Sequence, residues 1–208
     1  MTRWGRQTLV EERAIRPAAR GCADPVTLRL PDGTELGVRS ATGDDLPGVA
    51  DLHERCSAHS RNRRYHGGSA RFAPARLRRL LEPARGVTLL ATPTGFSPLA
   101  APVVAMANLL GEGDTAEAAL LVRDDWQRRG LGSALLRRLV WQAEQRGYAA
   151  LDLHIQAENR PMMRTVGRLA RPSAVNRDGS LVTLTVPLTA ALPRIGAGHP
   201  LGLSAPTR

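Results

Sequence analysis

The sequence predicts an α/β (α+β) fold in which one mixed, mostly antiparallel sheet is flanked by helices. Short apolar segments follow one another closely before residue 123, and they alternate with helical segments after residue 130. The first arrangement is typical of hairpins and meanders, and the second of strands joined through helices. A hydrophobic content of 42% is sufficient for a core, which must be mainly aliphatic because aromatic residues make up only 3%.

The predicted strands are short apolar or alternating runs bounded by turn residues. Pro31-Asp32-Gly33 joins the first two strands as a hairpin, and three closely spaced strands then form a meander. The final two strands alternate with helices. The predicted strands are Val26–Leu30, Glu35–Arg39, Val87–Ala91, Val103–Leu110, Glu117–Val122, Leu151–Ala157 and Leu181–Val186.

The predicted helices begin at capping residues or at proline, and each has an apolar side. Thr42 to Asp45 cap the first helix, Pro74 starts the second and Pro161 lies in the first turn of the last. The segment Ser57–Gly68 is expected to be a basic, polar loop, and Asn176–Gly179 a turn. The predicted helices are Leu46–Cys56, 74–81, Leu131–Arg146 and a short helix that includes Met162 to Leu169.

The domain organisation follows from where this patterning starts and stops. Residues 25–188 form one domain, between a flexible arm (1–24) and a disordered, Pro/Gly-rich tail (189–208). No apolar run approaches the length of a membrane span and no secretory signal is evident, so we expect a cytoplasmic protein. Cys22 and Cys56 are expected to be free thiols, and no Cys/His cluster suggests a metal site.

The charge is positive and unevenly distributed. The formal net charge is +10, and all 29 basic residues are arginine. The absence of lysine excludes a Walker A phosphate loop and a Schiff-base lysine. Nine arginines fall between Arg55 and Arg85 against the single acid Glu82, a local charge of +8. This segment fits an anionic partner such as coenzyme A phosphates, an acidic protein surface or nucleic acid, and equally a set of solvated helix faces.

One motif indicates a chemistry. Gln127-Arg128-Arg129-Gly130-Leu131-Gly132 joins an apolar strand directly to the long helix. The glycines allow a tight turn, and the first N–H groups of the helix have no partners within it. Those N–H groups, the helix dipole and two adjacent arginines would bind phosphate oxygens. A strand that ends beside a diphosphate site is what a coenzyme A transferase needs.

The motif and its surroundings resemble the GCN5-related N-acetyltransferase (GNAT) superfamily. The six residues match that family's Q/R-x-x-G-x-G/A acyl-CoA signature, and the order of elements agrees. The resemblance covers residues 35–188. It is strongest over Ala116–Met163, which is similar to the catalytic domains of bacterial protein-lysine acetyltransferases.

The resemblance implies a V-shaped splay between the fourth and fifth core strands, counted from Glu35. The pantetheine arm of an acyl-CoA would enter this splay and bind backbone groups around Leu121 and Val122. The diphosphate would rest on the N–H groups that follow Gln127, and Asn159 would contact the arm near the thioester. The implied cofactor-binding residues are Leu121, Val122, Gln127, Arg128, Arg129, Gly130, Leu131, Gly132, Ser133 and Asn159.

The resemblance also implies catalytic roles. Glu117 occupies the position of a general base, which an amine acceptor needs because it is mostly ammonium at neutral pH. Glu112 is the reserve candidate. A backbone N–H at Val122 would contact the thioester carbonyl and stabilise its oxyanion. Many relatives carry a tyrosine as general acid in the last helix, whereas Arg160–Ala170 contains none.

The expected function is transfer of an acetyl group from acetyl-CoA, or another acyl-CoA, to a primary amine by direct attack in a ternary complex. A protein lysine is slightly favoured over a small molecule as acceptor. The acceptor side would include Tyr65 and His66, which recognise an acidic protein or simply pack, and His154 is expected to be structural. We expect a monomer or homodimer without a metal.

Two alternatives remain open. The missing tyrosine fits a non-catalytic acyl-CoA-binding regulatory module of the same fold. The basic segment fits nucleic-acid binding, although aromatic residues for stacking on bases are few and no zinc, RRM or helix-turn-helix pattern is evident.

Overall fold

The computed structural model describes residues 25–67, 74–96 and 101–188, which form one sheet flanked by helices. The strands are β1 Val26–Arg29, β2 Glu35–Ser40, β3 Gly86–Pro93, β4 Ala105–Glu112, β5 Thr115–Val122, β6 Ala150–Gln156, β7 Ala174–Asp178 and β8 Leu181–Pro187. The helices are α1 Leu46–Arg55, α2 Ala58–Tyr65, α3 Pro74–Leu81, α4 Leu131–Gln145 and α5 Arg160–Leu169. The predicted mixed α/β fold is confirmed.

The sheet is antiparallel except at one pair of strands. Its order is β1-β2-β3-β4-β5-β6-β8-β7, and only β5 and β6 are parallel. These two strands pair over Thr115–Glu117 and Ala150–Asp152 alone, while β5 stays paired with β4 to Val122. Beyond Glu117 the two strands therefore diverge. This confirms the predicted V-shaped splay between the fourth and fifth core strands.

Apolar layers on both faces of the sheet hold this geometry. On one face α4 buries Leu135 and Leu139 completely, and on the other α1 and α3 bury Leu52 and Leu81. Full burial of each leucine side chain is worth roughly 1.5–3 kcal/mol. Because both faces are packed, β5 and β6 are kept apart by the helices on which they rest.

The predicted loop at Ser57–Gly68 is wrong over most of its length, because Ala58–Tyr65 forms α2. The segment has no apolar stripe from which its periodicity could be recognised. Its start is fixed by hydrogen bonds instead: the Ser57 hydroxyl accepts from the Ser60 N–H at 3.2 Å. The Asp124 carboxylate accepts from the Ser57 N–H at 2.7 Å and from the Ser60 hydroxyl at 2.7 Å.

The predicted turn at Asn176–Gly179 is also partly wrong. Ala174–Asp178 is the edge strand β7, which pairs with β8, and the turn itself begins at Gly179. All five residues of β7 are exposed, so the strand has no buried face and no apolar alternation. Its backbone pairing with β8 is what makes it a strand.

The remaining predictions concern the two ends of the chain, the two cysteines and membrane-spanning helices. The arm 1–24, the tail 189–208 and Cys22 lie outside the described residues. Cys56 is a free, buried thiol, and burial raises its pKa to about 12. No helix in the described ranges is both long and apolar enough to cross a lipid bilayer.

Candidate functional site

A cavity of about 520 Å³ fills the V between β5 and β6, and we call it the slot. The second half of β5 forms one side, β6 forms the other, and the start of α4 closes one end. Two of the predicted residues, Arg129 and Leu131, do not line it. The predicted residues that line the slot are Glu117, Leu121, Val122, Gln127, Arg128, Gly130, Gly132, Ser133 and Asn159.

The start of α4 presents a run of unused backbone donors to the slot. Ala134 donates its N–H to the Gly130 carbonyl at 3.0 Å. Within the described residues, none of the six preceding N–H groups, Arg128 to Ser133, donates a hydrogen bond. We call these six groups the amide cradle. The positive end of the α4 dipole lies at the same place, so the amide cradle is suited to phosphate oxygens.

Two left-handed residues shape the amide cradle. Arg128 has φ 59° and Gly130 has φ 90°. Left-handed backbone turns neighbouring N–H groups toward one centre, as in anion-binding nests. The conformation costs a non-glycine residue about 1–2 kcal/mol, so Arg128 holds local strain beside the slot. Gly132 is helical, and a Cβ built on it meets no atom within 4 Å.

The two arginines of the motif have different surroundings. Arg129 donates to Asp32 at 2.8 Å and to the Thr34 hydroxyl at 2.7 Å, and its guanidinium carbon lies 4.4 Å from the centre of the Trp126 ring. Hydrogen bonds from the Thr34 N–H and from Arg129 lower the pKa of Asp32 to about 2. Arg128 lines the slot and forms no ion pair with a described residue. Of these two arginines, Arg128 is therefore the one whose side chain is available to a phosphate.

Gln127 uses its side chain to join three parts of the site. Its Nε2 donates to the Ser60 hydroxyl and to the Val122 carbonyl, both at 2.9 Å. These bonds connect the end of β5 and the start of α2 to the loop before α4. The side chain of Gln127 thus braces the slot from within.

The backbone of β5 alternates between β4 and the slot. The Arg123 N–H donates to the Val104 carbonyl at 3.0 Å, on the β4 side. Because successive residues of a strand direct their backbone groups to opposite neighbours, those of Leu121 also face β4, while those of Leu120 and Val122 face the slot. An extended ligand in the slot can therefore pair with Leu120 and Val122 as an added strand would.

Glu117 lies at the deep end of the slot. It is opposite Asp152, at the last pairing of β5 with β6, and it is half-buried. No arginine among the described residues approaches it closely enough for an ion pair. Glu112, the reserve candidate, is the exposed last residue of β4 and does not line the slot.

Asn159 both lines the slot and caps α5. Its Oδ1 accepts from the Met162 N–H at 3.3 Å. The capping bond fixes the side chain and assigns the oxygen to the helix, so the amide NH₂ is the end that can donate to a ligand.

The slot has a third wall, which the sequence patterns did not predict. Ser60, Arg63, Arg64 and His66 line it from α2 and the residue that follows, and we call these four residues the α2 wall. Across the slot, the Gln156 Nε2 of β6 donates to the Asn62 carbonyl at 3.2 Å. With the bonds to Asp124 and Gln127 at its other end, α2 spans the opening from α4 to β6. The basic segment indicated an anionic partner, but nothing in it predicted this helix.

The α2 wall is cationic through two arginines. The Nε atoms of Arg63 and Arg64 are buried and have no hydrogen-bond partner among the described residues, and Arg64 Nη2 donates to the Asn108 amide oxygen at 2.9 Å. Burial lowers the pKa of Arg64, which remains a cation because that pKa starts near 12.5. Burial also lowers the pKa of His66, as do the neighbouring His154 and Arg64 charges, so His66 is mainly neutral at pH 7.

The side chains of Tyr65 and His154, two further candidates, lie within hydrogen-bonding distance of neighbouring side chains. The Tyr65 hydroxyl is 2.7 Å from His53 Nε2, and Tyr65 does not line the slot. His154 lines the slot, and its Nδ1 is 2.9 Å from the Thr183 hydroxyl on β8. Of the two alternatives for Tyr65, these contacts favour packing over recognition of an acidic protein.

Comparisons with known proteins agree on the fold and family. Residues 84–169 match the model of the acetyltransferase (GNAT) family. The GNAT domain of S. lividans PAT has a TM-score of 0.68 and 23% identity, over 78% of this chain and 96% of that one. A cAMP-binding acyltransferase from Mycobacterium smegmatis has a TM-score of 0.52 and 24% identity, over 78% of this chain but 47% of that longer chain.

A third solved structure bears on the ligand. A proposed acetyltransferase from Salmonella typhimurium, yncA, solved with its cofactor acetyl-CoA, has a TM-score of 0.56 and 17% identity, over 74% of this chain and 94% of that one. A comparison with curated proteins finds no match. Residues 84–169 thus match the acetyltransferase (GNAT) family, whose members are N-acetyltransferases, and the fold of the chain is similar to that of a protein solved with acetyl-CoA.

Proposed function

We propose that this protein is an acyl-CoA-dependent N-acetyltransferase that moves an acetyl group from acetyl-CoA to a primary amine. The amide cradle carries this proposal: it holds six unused N–H groups at the start of α4, and four of its residues, Arg128, Gly130, Gly132 and Ser133, line a slot beside a strand with unpaired backbone groups. A diphosphate matches the amide cradle, and an extended, amide-bearing arm joined to that diphosphate matches the unpaired backbone of the strand.

The residues of the slot fit such a molecule along its whole length. The amide cradle and the Arg128 side chain would hold the diphosphate. The slot-facing backbone of Leu120 and Val122 would pair with the pantetheine arm, and the Asn159 amide would donate to it nearer the thioester. When bound, acetyl-CoA supplies an acyl carbon that is already activated by its thioester.

Glu117 would remove the proton that the amine must lose. In this mechanism the amine nitrogen attacks the carbonyl carbon, a C–N bond forms and the C–S bond breaks. Glu117 accepts the proton from nitrogen, directly or through a water, and the Val122 N–H donates to the carbonyl oxygen as its charge develops. The sulfur leaves as a thiolate and takes a proton from solvent, which needs no strong acid because thiols have a pKa near 8.5.

Direct attack is favoured over a covalent enzyme intermediate. The one cysteine in the described residues, Cys56, does not line the slot, and burial raises its pKa to about 12. A thiol with that pKa is almost entirely protonated at neutral pH and is therefore a poor nucleophile.

A protein lysine is slightly favoured over a small molecule as the acceptor. The support for lysine is the similarity of Ala116–Met163 to protein-lysine acetyltransferases. Glu117 is half-buried rather than fully buried, so a side chain projecting from another protein could approach it.

The second candidate is a non-catalytic module that binds acyl-CoA and regulates another process. The observation that favours it is that no tyrosine among the described residues lines the slot. The tyrosine that many relatives use as general acid is thus missing from the described part of the slot.

Labelled acetyl-CoA distinguishes the two candidates. The purified protein is incubated with it and with a panel of amines, peptides and whole-cell protein, and products are identified by mass spectrometry, while calorimetry measures binding of acetyl-CoA. Binding with acetylated amines supports the enzyme, and binding without any product supports the regulatory module. Absence of binding would remove both.

A further inference from the structure

The α2 wall carries more positive charge than the slot neutralises. Arg63 and Arg64 both line the slot, and neither forms an ion pair with a described carboxylate. Their buried Nε atoms also lack hydrogen-bond partners. A buried cation that lacks a compensating anion is costly, so a site of this kind gains most from an anionic ligand group.

Two other arginines of the same segment donate to backbone carbonyls. Arg61 donates to the His53 carbonyl at 2.9 Å and to the Cys56 carbonyl, at the C-terminus of α1. Arg85 donates to the Gly113 carbonyl at 2.9 Å. The Arg63 side chain, by contrast, makes no hydrogen bond within the described residues, and that of Arg64 makes one, from Nη2 to the Asn108 amide oxygen, while the Nε atoms of both are buried without a partner.

The position of this charge relates it to the acceptor rather than to the diphosphate. Arg64, His66 and Glu117 line the same slot, and Arg64 donates to Asn108, which pairs with Ala119, two residues from the proposed base on β5. The amide cradle lies beside Ser60, near the start of α2, through Gln127. The C-terminal end of α2 is thus the end that faces the incoming amine.

We infer that the acceptor carries a carboxylate close to its reacting amine, and that Arg63 and Arg64 bind this carboxylate. The inference rests on the proposed function and specifies its acceptor. Two unneutralised arginines would repel a simple ammonium ion, whereas a carboxylate on the same molecule offsets that repulsion through charge-assisted hydrogen bonds. The same positive charges favour the neutral form of the amine, which is the form that attacks.

The test compares acceptors that differ only in the carboxylate. One series pairs ω-amino carboxylates of increasing chain length with alkylamines of the same length. A second series places one lysine between two glutamates or between two glutamines in a short peptide. We expect kcat/KM to be at least about tenfold higher for the carboxylate member in one series, as for other hydrogen bonds to charged groups. The series that shows the preference identifies a small molecule or a protein as the source.

Variants connect the preference to the α2 wall. Arg64→Gln should reduce the preference severalfold or more, and so should Arg63→Gln, which removes no hydrogen bond made within the described residues. Arg64→Lys should retain part of it. Arg78→Gln is the matched control, because it removes one charge from the exposed face of α3 and should leave the preference unchanged. Unchanged affinity for acetyl-CoA confirms that each variant is folded.

The outcomes separate this inference from the proposed function. Equal turnover of amines with and without a carboxylate, or a preference that survives both arginine variants, would overturn the inference and leave the acetyltransferase intact. If no amine is turned over, the proposed function fails. Calorimetry with coenzyme A present then decides the inference, which requires tighter binding of the carboxylate members and is refuted by equal binding.

Discussion

The two ends of the slot are built from different kinds of chemical groups. The amide cradle consists of main-chain N–H groups whose direction is set by the start of α4 and by two left-handed residues. The α2 wall consists of side chains, of which Arg63 and Arg64 hold unpaired buried nitrogens. The first end binds mainly through main-chain groups, whereas the second can change its ligand with a single substitution.

This difference matches the two ligands that the proposed function requires. A constant donor, acetyl-CoA, suits a site made of backbone, because N–H groups are present in every sequence that forms the turn. A particular acceptor suits a site made of side chains. Glu117, the proposed base, is a side chain of β5 that lines the same slot.

The largest expected effect is on the chemistry at Glu117. Glu117→Gln keeps the size of the side chain but removes its ability to accept a proton. We expect kcat to fall by about 100-fold or more, as for loss of a general base. Affinity for acetyl-CoA, measured by calorimetry, should change little. Glu112→Gln is the control, because Glu112 lies outside the slot, and unchanged turnover in Glu117→Gln would exclude Glu117 from the mechanism.

The next effect tests the amide cradle. A Cβ added at Gly132 meets no atom within 4 Å, so the fold should tolerate Gly132→Leu while the larger side chain occupies part of the slot. We expect the Kd for acetyl-CoA to rise by about tenfold or more, which corresponds to roughly 1.4 kcal/mol.

Gly167→Leu is the matched control for this effect. Gly167 is also a helical glycine with open space at its Cβ, but it is on α5 and does not line the slot. Both variants should keep or slightly raise the Tm, because leucine is a better helix former than glycine. Equal affinity for acetyl-CoA in the two variants would refute the placement of the diphosphate.

A smaller effect distinguishes the two arginines of the motif. Arg128→Gln should weaken acetyl-CoA binding severalfold and reduce the dependence of Kd on salt, because it removes a charge beside the amide cradle. Arg129→Gln should leave Kd nearly unchanged and lower the free energy of unfolding only slightly, since it breaks the exposed pair with Asp32. The reverse pattern would show that Arg129 leaves Asp32 to bind the ligand.

The smallest expected effect is on stability, through the contact of Asp124 with the start of α2. Asp124→Asn weakens the bonds from Ser57 and Ser60 that fix the start of α2, and we expect a loss of about 1 kcal/mol in the free energy of unfolding. Burial raises the pKa of Asp124, but the Ser57 and Ser60 hydrogen bonds outweigh burial, so its pKa is below the ordinary value.

The depressed pKa of Asp124 gives this contribution a defined pH dependence. The stabilisation is present above the unfolded-state pKa near 3.9 and is lost as the pH falls through the folded-state pKa. Denaturation curves from pH 7 down to pH 3 should therefore converge for the native protein and Asp124→Asn. Asp178→Asn is the control, since Asp178 is exposed on β7 and does not contact α2. Parallel curves across this range would refute the role of Asp124.

Sequence patterns predicted those elements whose residues carry their own local signal. The apolar stripe of α4 and the alternation in β6 predicted both, and the Gly130 turn predicted the unused N–H groups. The α2 segment, by contrast, is helical because Asp124 and Gln127, more than 55 residues away in the chain, bind Ser57 and Ser60. Nothing within Ala58–Tyr65 encodes those contacts.

The same contrast separates residues of one motif. Arg128 and Arg129 are adjacent and identical in type, so the sequence gives both the same role. The two arginines have different roles in the structure, because Asp32 in the β1–β2 turn lies within reach of Arg129 only after the sheet has formed.

The amino-acid sequence by itself determined the strand–turn–helix that makes the amide cradle, because backbone geometry depends on a few neighbouring residues. It also placed Glu117 on the strand that leads there. The tertiary structure alone decided which arginine remains free for a phosphate, how far β5 and β6 separate, and that α2 closes the slot with Arg63 and Arg64. Those features depend on side chains from distant parts of the chain meeting in space, and no local pattern contains that information.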